Sequence, residues 1–288
     1  MTDYVIFTDS ACDIKSEVLK EWGVEFECLC FHFEGEEKVY SNIEMENSEF
    51  YAKMKAGGVA KTSAINPETF TAAFEKILAS GRDILYLGFS SGLSTTCNSG
   101  RIAAEELAGK YPERKLMVVD TLSASAGEGL IVWLTSKKQK EGATIEEAAE
   151  YARSLAPKLC HWLTVDDLEY LKRGGRVSPT VAFVGKALGI KPILCVDNEG
   201  KLVSHSKARG RKAALVALVQ KYGEQAENPA GGTPFICHAD CPEDAELLKA
   251  MLKETHGADV AHIAEIGAVI GAHAGPGTIA VLFVGKER

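Results

Sequence analysis

Hydroxyl groups are concentrated in one short stretch of this sequence, Phe89–Thr96 (FSSGLSTT), which carries Ser90, Ser91, Ser94, Thr95 and Thr96. The stretch follows an apolar run and opens a helical one. Free backbone N–H groups at a helix start, with hydroxyls beside them, favour an anion. The plainer alternative is an ordinary serine cap. A second hydroxyl pair, Thr62 and Ser63, follows Lys61 just ahead of Asn66-Pro67. Ala60 stands where a phosphate loop needs glycine, so this segment reads as a hydroxyl-rich loop near a strand end, or a plain surface loop. A third candidate is His273, set among small residues in Gly271–Gly277 (GAHAGPG). Small neighbours let a backbone approach a ligand closely, and imidazole can donate to a carboxylate or shuttle a proton. A tight turn with an exposed histidine is the alternative.

Two basic groups stand out in an acidic chain. In Leu171–Val177 (LKRGGRV), Gly174 can cap the preceding helix, with Lys172 and Arg173 complementing its C-terminal dipole. The functional alternative is that Arg173 and Arg176 approach a phosphate or an acidic partner. Lys207, Arg209, Arg211 and Lys212 form the second group, a solvated face or a docking site.

Other patterns are incomplete. Asp9 and Asp13 in DSACD have a phosphatase loop's residue types, but the second aspartate comes four residues on instead of two. Cys28, Cys30, Cys237, His238 and Cys241 make no complete zinc set, so no metal is expected. Gly275-Pro276-Gly277 leads into a strand and is no dinucleotide fingerprint. Gly92-Leu93-Ser94-Thr95-Thr96 is one residue short of a nucleophile elbow. That keeps a second function class open, a serine esterase using Ser94 and His273. Thr96 in place of the final glycine counts against it.

These groups must be held by elements. Tyr4–Thr8, Asp83–Phe89 and Leu116–Val119 read as strands, with helices over 14–22, from Asn66-Pro67 to about Ala79, from near Ser94, and over 125–141. Thr144 and Glu147 form a capping box for another helix. Strands separated by helices predict a parallel sheet. Past Pro157 the pattern changes. Ile193–Val196 and Leu202–Ser206 read as an antiparallel hairpin, followed by a helix over 211–224. Phe235–Ala239 and Val260–Glu265 read as strands around a helix over 243–256. Ala268–Ile270 and Thr278–Val284 close the chain as strands. The division falls at 1–157 and 158–288.

The chain has 288 residues, 46% hydrophobic and 25% charged, enough for a full core. Its formal net charge of −8 disfavours nucleic acid and anionic membrane surfaces as partners. The apolar stretch over 266–285 is broken by glycines and Pro276, so no membrane span is expected. The opening MTDYVIFTDS reads as a strand and not a secretory leader. With eight cysteines, that points to a reducing, cytoplasmic setting.

Eight segments in order span almost the whole chain: FTDSACDI, KTSAINPETF, SSGLSTTCNS, VVDTLSASAGEGL, DDLEYLKRGGRVS, LGIKPIL, KARGRKAA and GAHAGPGT. Together they resemble the DegV family of bacterial fatty-acid-binding proteins. Two departures are Thr95, where the family usually has glycine, and Ala64-Ile65, where it usually has Gln-Pro. The resemblance implies an EDD fold with an N-terminal, Rossmann-like parallel-sheet α/β domain and a C-terminal α/β domain with a mixed or antiparallel sheet. It implies a non-catalytic carrier without a cofactor, which buries a long-chain fatty acid in an apolar tunnel. The carboxylate would meet Thr62, Ser94 and His273, with Ser63 and Ser91 close by. A separate fatty-acid kinase would phosphorylate it, and the carrier would hold the acyl phosphate for phospholipid synthesis. Arg173 and Arg209 are the implied contacts to that kinase or phosphate.

Overall fold

Tyr4–Asp9 (β1) is buried along its whole length, as expected of an interior parallel strand. A computed structural model describes residues 4–177 and 189–288 of the chain. Met1–Asp3, Ser178 and Leu188, which belong to stretches read above, lie outside the described residues. After β1 come α1 (Ser16–Trp22), β2 (Val24–Glu27), β3 (Cys30–Phe33), β4 (Tyr40–Ser41), α2 (Asn47–Lys55) and β5 (Ala60–Ser63). Then follow α3 (Pro67–Ala79), β6 (Asp83–Gly88), α4 (Thr96–Lys110), β7 (Leu116–Asp120), α5 (Ala126–Lys140) and α6 (Ile145–Leu155). The later part holds β8 (Leu159–Thr164), α7 (Leu168–Arg173), β9 (Ile190–Val196), β10 (Leu202–Arg209) and α8 (Arg211–Gln225). It ends with β11 (Phe235–His238), α9 (Pro242–His256), β12 (His262–Glu265), α10 (Ala268–Ala274) and β13 (Ile279–Val284).

Local chemistry accounts for several boundaries. The Asn66 side chain accepts the Thr69 N–H at 2.8 Å, and Pro67 occupies the first turn of α3. Thr144 and Glu147 cap α6 reciprocally. Gly257, with φ of 74°, ends α9 in the left-handed conformation.

The first sheet has the order β2-β1-β6-β7, and every pairing in it is parallel. Val5, Phe7, Ile84 and Tyr86 pack on Phe70, Phe74 and Leu107 from α3 and α4. The alternate residues Ile6, Leu85 and Leu87 face α5 and α6. The second sheet has the order β10-β9-β8-β13-β11-β12, antiparallel except for the parallel pair β11–β12. One face packs on α8 and α9 through residues such as Trp162, Leu218, Leu248 and Val281. The other face meets α5, which lies between the two sheets and touches β1 and β6 on one side and β8, β11 and β13 on the other. These sheets make the expected mixed α/β architecture. Both of the first half's sheets use only strands before residue 157, and the second half's sheet only strands after it.

Two expectations are corrected. Ala268–Ile270 is not a strand but the start of α10, and His273 sits in that helix's last turn. Lys61–Ser63 is not a loop. It belongs to β5, an edge strand of a small antiparallel sheet of order β4-β3-β5. Its sheet partners are only four and two residues long, so local patterning does not announce it. Gly174 is the C-cap of α7, as read from the sequence, with φ of −72°; the positive φ of 68° falls on Gly175.

Candidate functional site

Strand alternation decides which hydroxyls of β5 point inward. Thr62 and Ala64, two residues apart, both line a cavity of about 530 Å³; Ser63 between them does not and is exposed. The volume falls within the roughly 300–1,000 Å³ typical of small-molecule sites. The lining draws on both halves of the chain and is largely apolar, with Leu29, Phe89, Leu163, Leu171, Val269 and Leu282 among its walls.

His273 and Thr62 share a hydrogen bond of 2.8 Å between Nε2 and Oγ1. Burial lowers the histidine pKa to about 4, and the positive charge of Arg176 adds to the effect. The imidazole is therefore neutral at pH 7. Its Nδ1 is buried and has no hydrogen-bond partner among the described residues. The ring lies so close to Gly174 that a Cβ there would overlap Nδ1. The glycine is thus explained by close approach and not by backbone conformation.

Ser91, Ser94 and Thr95 line the same cavity from the loop ahead of α4. The Ser94 hydroxyl shares a hydrogen bond of 2.9 Å with Thr96 Oγ1 and accepts the Thr96 N–H at 3.2 Å. No hydrogen bond joins Ser94 to His273, so the nucleophile–base pair of a serine hydrolase is not formed. The loop is braced from outside. Ser90 Oγ donates to Gly200 O at 2.8 Å at the tip of the β9–β10 hairpin. Ser91 N donates to Asp120 Oδ1 at 3.3 Å.

Of the arginines, Arg176 lines the cavity; its Nε donates to Leu93 O at 3.1 Å. Arg173 is exposed, with its guanidinium 5.1 Å from the centroid of the Tyr170 ring. Arg209 is exposed at the end of β10. The structure therefore brings Thr62, Ser91, Ser94 and His273 together and leaves Ser63, Arg173 and Arg209 outside the lining.

Sequence reasoning missed Ser125, His161, Cys237 and Thr278, which also line the cavity. His161 alternates with Leu163 on β8, and a lone histidine in an apolar strand was the available signal. Its Nε2 accepts the Ala124 N–H at 3.3 Å, and its Nδ1 lies 3.2 Å from Leu159 O. Burial, aided by the charge of Arg288, lowers its pKa to about 3. Chemically, the described lining offers hydroxyls, two neutral imidazoles and the Arg176 guanidinium to an anionic head, with apolar walls for a greasy body. No helix among the described residues is long and apolar enough to cross a membrane.

The DegV family model, described as an uncharacterised protein family, matches residues 3–286. A DegV domain-containing protein of Clostridium perfringens is 42% identical over 290 residues, covering 100% of this chain and 99% of the relative. A crystal structure of a DegV lipid-binding protein from Thermotoga maritima superposes with a TM-score of 0.86 at 30% identity, covering all of both chains. A DegV family protein from Thermus thermophilus, described by its fatty-acid binding, gives 0.89 at 28% identity, covering 99% of this chain and 100% of that one. The match runs through every segment that lines the cavity, from Leu29 to Leu282 in β13, and on that footing this chain belongs to the DegV family.

Proposed function

We propose that this chain binds a long-chain fatty acid in the cavity, with the carboxylate at Thr62, Ser94 and His273 and with Ser91 and Arg176 near it. The observation that carries this reading is the meeting of Thr62, His273 and Ser94 at one largely apolar hollow. The fatty-acid and lipid binding described for the Thermus and Thermotoga relatives supports it. Burying about 15 methylenes at ~0.8 kcal/mol each contributes ~12 kcal/mol before the costs of binding. A buried carboxylate needs several donors, or it takes up a proton. Hydroxyls supply donors while leaving the oxygen open to an incoming phosphoryl group.

In this reading the protein is a carrier in the cytosol, built of units 1–157 and 158–288. It presents the carboxylate to a separate fatty-acid kinase and carries the acyl phosphate. Arg173 and Arg209, exposed outside the lining, are the surface groups proposed to meet that kinase. Mass spectrometry of the denatured protein, purified from its host cell, tests the binding step. A long-chain fatty acid should be released. A protein that is empty and also takes up no added fatty acid would falsify the proposal.

A further inference from the structure

Helix α10 carries His273 but cannot hold itself. It spans seven residues, too few for a stable isolated helix. Its N-cap is Gly267, which offers no side chain to the helix's first N–H groups. The acceptors come instead from the first half of the chain. Gly267 N donates to Asp13 Oδ1 at 2.9 Å, and Val269 N donates to Asn42 Oδ1 at 2.8 Å. Just ahead of them, Ile266 O accepts the Tyr51 hydroxyl at 2.7 Å.

All three anchors are buried, and Asp13 and Asn42 are themselves tied down. Asp13 Oδ2 accepts the Ser125 hydroxyl at 2.5 Å, and Asn42 Nδ2 donates to Ser10 O at 2.9 Å. The glycines of α10 fit these anchors closely. A side chain at 271 would overlap the Tyr51 hydroxyl, and one at 267 would crowd Asp13 and Asn42. Asp13 adopts a left-handed φ of 52° where it ends the turn Ser10–Cys12. None of the three anchors lines the cavity.

We infer that Asp13, with Asn42 and Tyr51, is a positioning residue: by fixing the start of α10 it sets where His273 meets Thr62. Six residues at ~1.5 Å each put the imidazole about 9 Å along the helix from the anchored end, so a small tilt there moves it off Thr62. This gives a role to the aspartate pair of DSACD, which has no phosphatase spacing. Asp9 braces another part of the lining in the same way, since its Oδ2 accepts the Phe89 N–H at 3.0 Å at the root of the serine loop. The effect on ligand affinity rests on the fatty-acid reading; the effect on His273 does not.

The test follows His273 by NMR in ¹⁵N-histidine-labelled full-length protein without ligand, and palmitate affinity in parallel. Asp13→Ala should raise the His273 pKa by about one unit toward its ordinary value and weaken palmitate binding roughly tenfold. Asp13→Asn keeps an acceptor for the Gly267 N–H and should restore both. An Asp13→Ala protein that is less stable but has an unmoved His273 titration overturns the inference. Should Asp13→Ala fail to fold, Tyr51→Phe deletes a single hydroxyl and should shift His273 in the same direction. Unchanged resonances there overturn it equally. If wild-type protein ignores palmitate, the fatty-acid reading fails, while the His273 titration still decides the positioning role.

Discussion

His273 Nε2 and Thr62 Oγ1 stand 2.8 Å apart although 211 residues separate them in the chain. The contact joins an edge strand of the small N-terminal sheet to the short helix before the last strand. It is a bond between neutral groups, because burial keeps the imidazole uncharged. Such a bond contributes only about 1 kcal/mol to folding, but an orphaned partner left behind costs more.

Thr62→Val replaces the hydroxyl with a methyl of similar size and leaves His273 Nε2 without its partner. Stability should fall by about 1–3 kcal/mol, and palmitate binding should weaken by roughly tenfold or more. Urea unfolding and titration calorimetry read the two effects. Wild-type values in both would remove Thr62 from the site.

Neighbouring glycines after α7 should respond differently. Gly174→Ala forces a methyl against the His273 ring and should cost about 1–3 kcal/mol by overpacking while weakening palmitate binding. Gly175→Ala faces open space and only strains a positive φ, at a cost of about 1 kcal/mol, with binding unchanged. Equal binding losses in the two variants would show that contact with the imidazole is not what matters.

Stability should depend on pH through buried groups of opposite sense. Burial pushes Asp9 up to about 6, Asp13 to about 7, and Glu128 well above the usual carboxylate range. Their contribution is complete below about pH 4, the unfolded value, and is lost as pH rises through the folded values. His161 and His273 are depressed to about 3 and about 4. Their contribution is complete above about pH 6.5 and is lost as pH falls. The two histidines offset only part of the loss from the three carboxyls between about pH 4.5 and 6, and above about pH 6.5 only the carboxyl loss remains. Urea midpoints should therefore fall gently across pH 5–6 and fall further by pH 8. Asp13 alone supplies on the order of 1 kcal/mol of that drop. Asp13→Asn should shrink it, and a wild-type midpoint that climbs between pH 6 and 8 contradicts the scheme.

Much of the scaffold was legible because its signals are local. β1 and β6 are buried on both faces and read as continuous apolar runs, and Asn66-Pro67 and Thr144–Glu147 mark their helix starts directly. Helix α10 was not legible. Its Ala, Val and Gly residues show no polar face, and its end groups are satisfied by Asp13 and Asn42 more than 220 positions away. Within the site, Ser94 and His273 stand out by composition, whereas the inward turn of Thr62 and the outward turn of Ser63 depend on a strand pairing that joins Thr62 to Phe31. The choice between Arg173 and Arg176 depends on how the chain leaves α7, which residue types alone do not fix. His161 and Ser125 reach the cavity only because β8 and the start of α5 are pressed together from separate parts of the chain.

The burial of α5 between both sheets has a consequence for the molecule as an object. Leu130 and Ile131 belong to the same interior as Phe235 and Leu282, so neither half owns a finished interior of its own. A cut at residue 157 would turn one oily wall of each fragment toward water.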